Sequence, residues 1–95
     1  MTAPAPWPDT PVSDTVMLCF DGRVLEVFGF TDASRFHVWE RPRIEIGEGR
    51  RFRRFTIVTR GGRRHPLLYD AERLADLRAL GEHLARIAGQ DPGHP

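Results

Sequence analysis

The sequence predicts an α+β fold, an antiparallel meander of about six strands closed by one C-terminal amphipathic helix. Three observations carry that prediction. Asp21-Gly22 and Gly61-Gly62 each sit between segments with strand-like patterning, the signature of a hairpin. The last third of the chain changes to helical spacing, with Leu77, Leu80, Leu84 and Ile87 on one stripe. Strands come first and the helix last, so the two kinds of element segregate. The 95 residues fit one domain. Its expected bounds are 16–89, between a disordered Pro-rich tail at 1–15 and a second disordered tail at 90–95.

Residues 1–15 hold Pro4, Pro6, Pro8 and Pro11, which forbid a helix and favour extended chain. Trp7 in that tail is read as a cap on an apolar patch. In the first hairpin, Val16–Phe20 and Arg23–Phe28, a two-residue turn pairs Phe20 with Arg23, Leu18 with Leu25 and Val16 with Val27. Val16, Leu18, Phe20, Leu25 and Val27 then form a core face. The opposite face shows Met17, Cys19, Val24, Glu26 and Phe28, too apolar to stand freely in water. The tail, the helix or another subunit should cover it. Arg35–Glu40 reads as a short strand that Pro42 interrupts, and Arg43–Ile46 as the next, with Ile44 and Ile46 inward. In the second hairpin, 52–60 and 63–69, a two-residue turn sets Arg60 opposite Arg63, Val58 opposite His65 and Thr56 opposite Leu67. Phe55, Ile57, Pro66 and Leu68 then face the core. Asp70 is the expected N-cap of the helix and Gly89 its stop after about Ala88.

Phe20-Asp21-Gly22-Arg23, Arg43-Ile44-Glu45-Ile46, the run Phe55-Thr56-Ile57-Val58-Thr59-Arg60-Gly61-Gly62 and the closing 70–88 helix follow one another as in a known family. From Val16 to Ala88 the chain resembles the pleckstrin-homology-like superfold, and most of all its bacterial versions. The resemblance implies a curved, partly open barrel (PH-like) with the helix plugging one end. It implies a binding module for proteins, peptides or anionic lipid headgroups, as most members are, rather than an enzyme; several bacterial members look like oligomer formers. Two departures stand out. Lipid-binding members carry a basic cluster in the first hairpin loop, whereas Asp21-Gly22 is tight and has only Arg23 beside it, so no phosphoinositide site carries over. The full fold has seven strands, so one is either hidden in 29–40 or missing. Fold does not fix function in any case.

Catalytic constellations are poor. His37, His65, His83 and His94 are scattered without metal-ligand spacing, and Cys19 lies in an apolar strand as a small buried hydrophobe. The Gly pairs lack the context that cradles phosphate. No enzyme, metal or cofactor is expected. One Cys excludes an intrachain disulfide and a Cys-based zinc cage, and suits a reducing compartment. The N-terminus has no basic start followed by an apolar run, and no stretch reaches the roughly 20 apolar residues of a membrane span. A cytoplasmic location is expected.

Charge is the informative feature. All 14 basic residues are Arg, and the formal net charge of +1 hides its distribution. The balance is −4 over residues 1–40, +7 over 41–65 and −2 over 66–95. The absence of Lys throughout fits genome composition. The placement of nine Arg in 41–65 does not follow from composition. Solvated strand edges are one reading of that block, since charge blocks edge-to-edge pairing. The other is a surface for an acidic protein partner, with Arg51, Arg53, Arg54, Arg60, Arg63 and Arg64 as the binding residues. Met17, Cys19, Val24 and Phe28 are the expected self-association residues. An anionic ligand, either an acidic membrane surface or nucleic acid, is the alternative partner.

Overall fold

A computed structural model of the chain describes residues 7–29, 31–48 and 53–90. Seven strands and one long helix follow in order: β1 (Trp7–Pro11), β2 (Met17–Phe20), β3 (Val24–Phe28), β4 (Ala33–His37), β5 (Arg43–Glu48), β6 (Arg53–Val58), β7 (Arg64–Leu68) and α1 (Leu74–Gln90). The strands form two antiparallel meanders, β1-β2-β3-β4 and β5-β6-β7. The α+β class is as expected. The sheets remain two and do not close into one barrel.

The strand beyond the expected six is β1, inside the segment read as a tail. Trp7 pairs with Phe20, Thr10 with Leu18 and Pro11 with Met17, across an irregularity in the register between Trp7 and Thr10. β1 is an edge strand, where prolines cost no ladder bond on the open side. Thr10 and Val12 are buried, so this part of the chain belongs to the domain. The remaining tail residues, 1–6 and 91–95, lie outside the described residues.

The first hairpin turns over four residues, not two. Phe20 faces Leu25 and Leu18 faces Val27. The Asp21 carboxylate explains the wider turn: its Oδ1 accepts from the N–H of Arg23 and of Val24, both at 2.8 Å. Those bonds hold the Asp21 carboxyl below its usual range, Val24 contributing most. Gly22 supplies the positive φ of 100°. A shift of two residues keeps every side chain on its expected face. Leu18, Phe20, Leu25 and Val27 are accordingly buried.

The second hairpin slips by one residue, which has the opposite consequence. Val58 faces Arg64, Ile57 faces His65 and Phe55 faces Leu67. The loop is 59–63, with Thr59 N–H donating to the Arg63 carbonyl at 3.0 Å and Thr59 Oγ1 accepting from Arg63 N–H at 3.1 Å. The whole of β7 is therefore turned over. His65 and Leu67 point to the core side, while Pro66 is exposed and Leu68 stands 53% exposed. Placing Pro66 and Leu68 in the core was the error of assuming a two-residue turn.

The expected strand at 35–40 is shorter. β4 ends at His37, and Val38–Glu40 form a 3₁₀ turn. The helix also begins differently. Asp70 is extended, but its side chain makes no capping bond, and a 3₁₀ turn at Ala71–Arg73 leads into α1. Gly89 does not stop the helix, which runs to Gln90.

The core lies between the sheets and the helix. Phe36, Phe55, Ile57, Leu77 and Leu80 are fully buried, with Trp7, Ile44, Ile46, Leu74 and Ile87 packed around them. The Leu stripe thus buries the face that sequence spacing assigned to it. Trp7 stacks on His83 of α1, with ring centroids 4.4 Å apart, and Phe20 meets the same imidazole edge-on. Gly81 brings α1 onto β5, since a Cβ there would stand 3.4 Å from Ile44 Cβ. Tyr69, also buried, donates its hydroxyl to the Gly47 carbonyl at 3.1 Å.

Candidate interaction surface

Strand direction gives the four-stranded sheet two distinct ends. One end carries the β2–β3 loop and the 3₁₀ turn after β4. The other carries the β1–β2 loop and the β3–β4 turn.

At the first end three loops are tied together. Val38 N–H donates to the Arg23 carbonyl at 2.7 Å, and Arg60 N–H donates to the Glu40 carbonyl at 2.7 Å. Glu40 fixes the turn itself. One carboxylate oxygen accepts from His37 N–H at 3.0 Å, and the other accepts from Arg63 Nη1 at 2.8 Å. The His37 N–H, then Arg63, hold the Glu40 carboxyl below its usual range. Arg41 closes the turn in the left-handed region with φ 52°. Trp39 stands on this braced platform, 73% exposed and stacked on His37 at 3.8 Å.

The expected arginine site is only partly gathered. Arg53 is exposed at the start of β6, and Arg54 is exposed on the outer face of its sheet opposite Leu68. Arg60 is exposed in the 59–63 loop. Arg63 leaves the sheet face: besides binding Glu40, its guanidinium lies over the Phe36 ring, 4.5 Å from the centroid. Arg64 reaches Glu45 at 3.6 Å. Arg51 lies outside the described residues. The one-residue slip is what separates Arg63 from Arg54, and it moves His65 from that outer face toward Phe36. Among the described residues, no ion pair holds Arg43, Arg54 or Arg60.

The expected self-association residues do share a face. Met17, Cys19, Val24 and Phe28 line the outer side of the four-stranded sheet, the first three half-buried and Phe28 38% exposed. Trp7 does not cover them, because it lies on the core side with Phe20. Burial, with Asp9 and Glu26 nearby, pushes the Cys19 thiol up to about 11. It is thus no thiolate nucleophile at neutral pH. Its half-burial is less than the full burial expected of it.

Trp39 is the residue that sequence reasoning passed over. In a strand at 35–40 it would alternate with Phe36 and Val38 and point outward. That signal was legible from parity alone, but it was read only for the core side.

No group of three His, Cys, Asp or Glu side chains able to hold a metal ion occurs among the described residues. Nor is any described helix long and apolar enough to cross a membrane. The fold and surface define a small α+β domain of two antiparallel meanders and a closing helix. Comparison with protein-family models, curated proteins and solved structures finds no match.

Proposed function

We propose that this chain is a non-enzymatic protein-interaction module that engages an acidic partner through its arginine-bearing sheet and loops, in the cytoplasm. The observation that carries the reading is the state of the arginines. Of those described between 41 and 65, six are exposed (Arg43, Arg53, Arg54, Arg60, Arg63 and Arg64), and among the described residues carboxylates hold two of the six, Arg63 by Glu40 and Arg64 by Glu45. Exposed guanidinium groups near an exposed Trp are the residue types that dominate protein interfaces. The order of four strands, three strands and a closing helix supports a pleckstrin-homology-like ancestry, which would agree with a binding role.

The test is quantitative capture from a native cell extract, comparing the wild-type chain with Arg43→Ala/Arg54→Ala/Arg60→Ala. Acidic proteins enriched by the wild type and lost by the variant are the expected result. Equal recovery by both would remove the proposal. Exposed Trp39 also favours a second reading, since single-stranded nucleic acid stacks on such side chains beside cationic groups. Retention that nuclease treatment abolishes would select it.

A further inference from the structure

The two ends of the four-stranded sheet are complementary to each other. The Trp39 end projects one large aromatic side chain. Arg41 lies in the same turn, Arg23 and Arg60 adjoin that turn through the backbone bonds to Val38 and Glu40, and Arg63 is held to Glu40. Arg63 is paired with Glu40, so the exposed Arg23 and Arg60 are the cations this end offers to a partner.

The other end is a hollow of about 330 Å³, lined among others by Pro11, Asp14, Val16, Met17, Phe28 and Gly29. Pro11, Val16, Met17 and Phe28 give it an apolar side, Ser13, Asp14 and Thr15 a polar one, and no arginine lines it. Asp14 is exposed at the hollow, and Asp32 stands at its rim, where its carboxylate lies against Gly29. The hollow is large enough for an indole ring, and its charge is the sign the Trp39 end attracts. Phe28 is among the few large apolar side chains exposed in the described chain, as is Trp39.

From this pairing of a braced aromatic knob flanked by Arg23 and Arg60 with a partly apolar hollow that carries Asp14 and Asp32, we infer that the chain associates head to tail with a second copy of itself. Trp39 of one molecule enters the Met17–Phe28 hollow of the next, and Asp14 and Asp32 face Arg23 and Arg60. The inference rests on the reading of the chain as an interaction module and names one of its partners. The contact is heterologous, so each molecule keeps one free end and the association can propagate. A single indole buries about 150–250 Å². That is far less than a stable complex buries, so the contact is weak and transient, with association on the order of 0.1–1 mM.

Two variants test it, because each disables one end only. Trp39→Ala removes the knob at a site where the side chain is mostly in water, and Asp14→Arg/Asp32→Arg reverses the hollow's charge on exposed residues. In sedimentation equilibrium at about 0.5 mM, the wild type should exceed monomer mass and keep growing with concentration. Each variant alone should associate about tenfold more weakly. An equimolar mixture of the two should form a one-to-one dimer that grows no further, joining the intact Trp39 of one to the intact hollow of the other.

A wild type that stays monomeric overturns the inference, as does a mixture that stays monomeric. Either variant associating as strongly as the wild type also overturns it, and assigns self-contact to the outer face at Cys19 and Val24. Acidic-partner capture is scored separately. A monomeric wild type that still captures acidic proteins sinks this inference alone, and self-association without capture sinks the earlier reading alone.

Discussion

His83 shows what one side chain can be made to do by its neighbours. Its imidazole is sandwiched between Trp7 and Phe20, and its Nε2 is buried without a hydrogen-bond partner. Burial, then the positive charge of Arg86, pushes its pKa below the ordinary histidine value. A base with a depressed folded pKa stays neutral while the unfolded chain takes up a proton. Stability is therefore complete above about pH 6.5 and falls as pH drops through the unfolded value, levelling off below the folded one. The melting temperature should fall between pH 7.5 and 5.5, and His83→Gln should flatten that slope. An unchanged slope in the variant would show that another group titrates. Glu40 acts in the same direction at lower pH. Its lowered carboxyl contributes stability above the ordinary carboxylate range that is lost as pH falls, so Trp39's platform is weakest in acid.

At the scale of elements, the contact between α1 and β5 depends on Gly81. A glycine inside a helix costs about 1 kcal/mol relative to alanine. It is compensated by close approach, since the Gly81 Cβ position lies 3.4 Å from Ile44 Cβ. Gly81→Ala should therefore leave stability within about 1 kcal/mol, its helix propensity offsetting a snug fit. Gly81→Leu should force the helix from the sheet and destabilise by about 1–3 kcal/mol. Urea unfolding measures both, and a Leu variant as stable as wild type would show that the helix can shift freely. The strands teach a complementary lesson. The first hairpin missed its register by two residues and kept its faces, because Asp21 widened the turn by an even step. The second missed by one and lost them, because Thr59 drew Arg63 into a longer loop. Side-chain period in a strand is two, so parity decides whether an error in a turn matters.

Across the whole molecule, charge is segregated by element. Segment 1–40, which forms the four-stranded sheet, carries −4, and segment 41–65, which forms the first two strands of the other sheet and its loop, carries +7. The molecule is elongated, with extents of 42 × 24 × 22 Å, so these regions are not averaged over a small sphere. Screening acts over about 10 Å at 0.1 M salt. Partner capture and self-association should both weaken between about 50 and 200 mM salt. Salt-independent association in sedimentation would assign the contact to apolar burial alone.

The sequence by itself determined the fold class, the core stripe of α1, the inward faces of β2, β3 and β6, and the charge block. Each is a matter of local period or composition, which needs no knowledge of neighbours. Only the tertiary structure decided that Trp7–Pro11 is a strand, because an edge strand owes its existence to the partner that pairs with it. It likewise decided which arginines stay in solvent and which are spent on Glu40 and Phe36. That depended on a single residue of register, set where Thr59 and Arg63 bond across their loop, and on Glu40, which meets Arg63 from a turn far earlier in the chain.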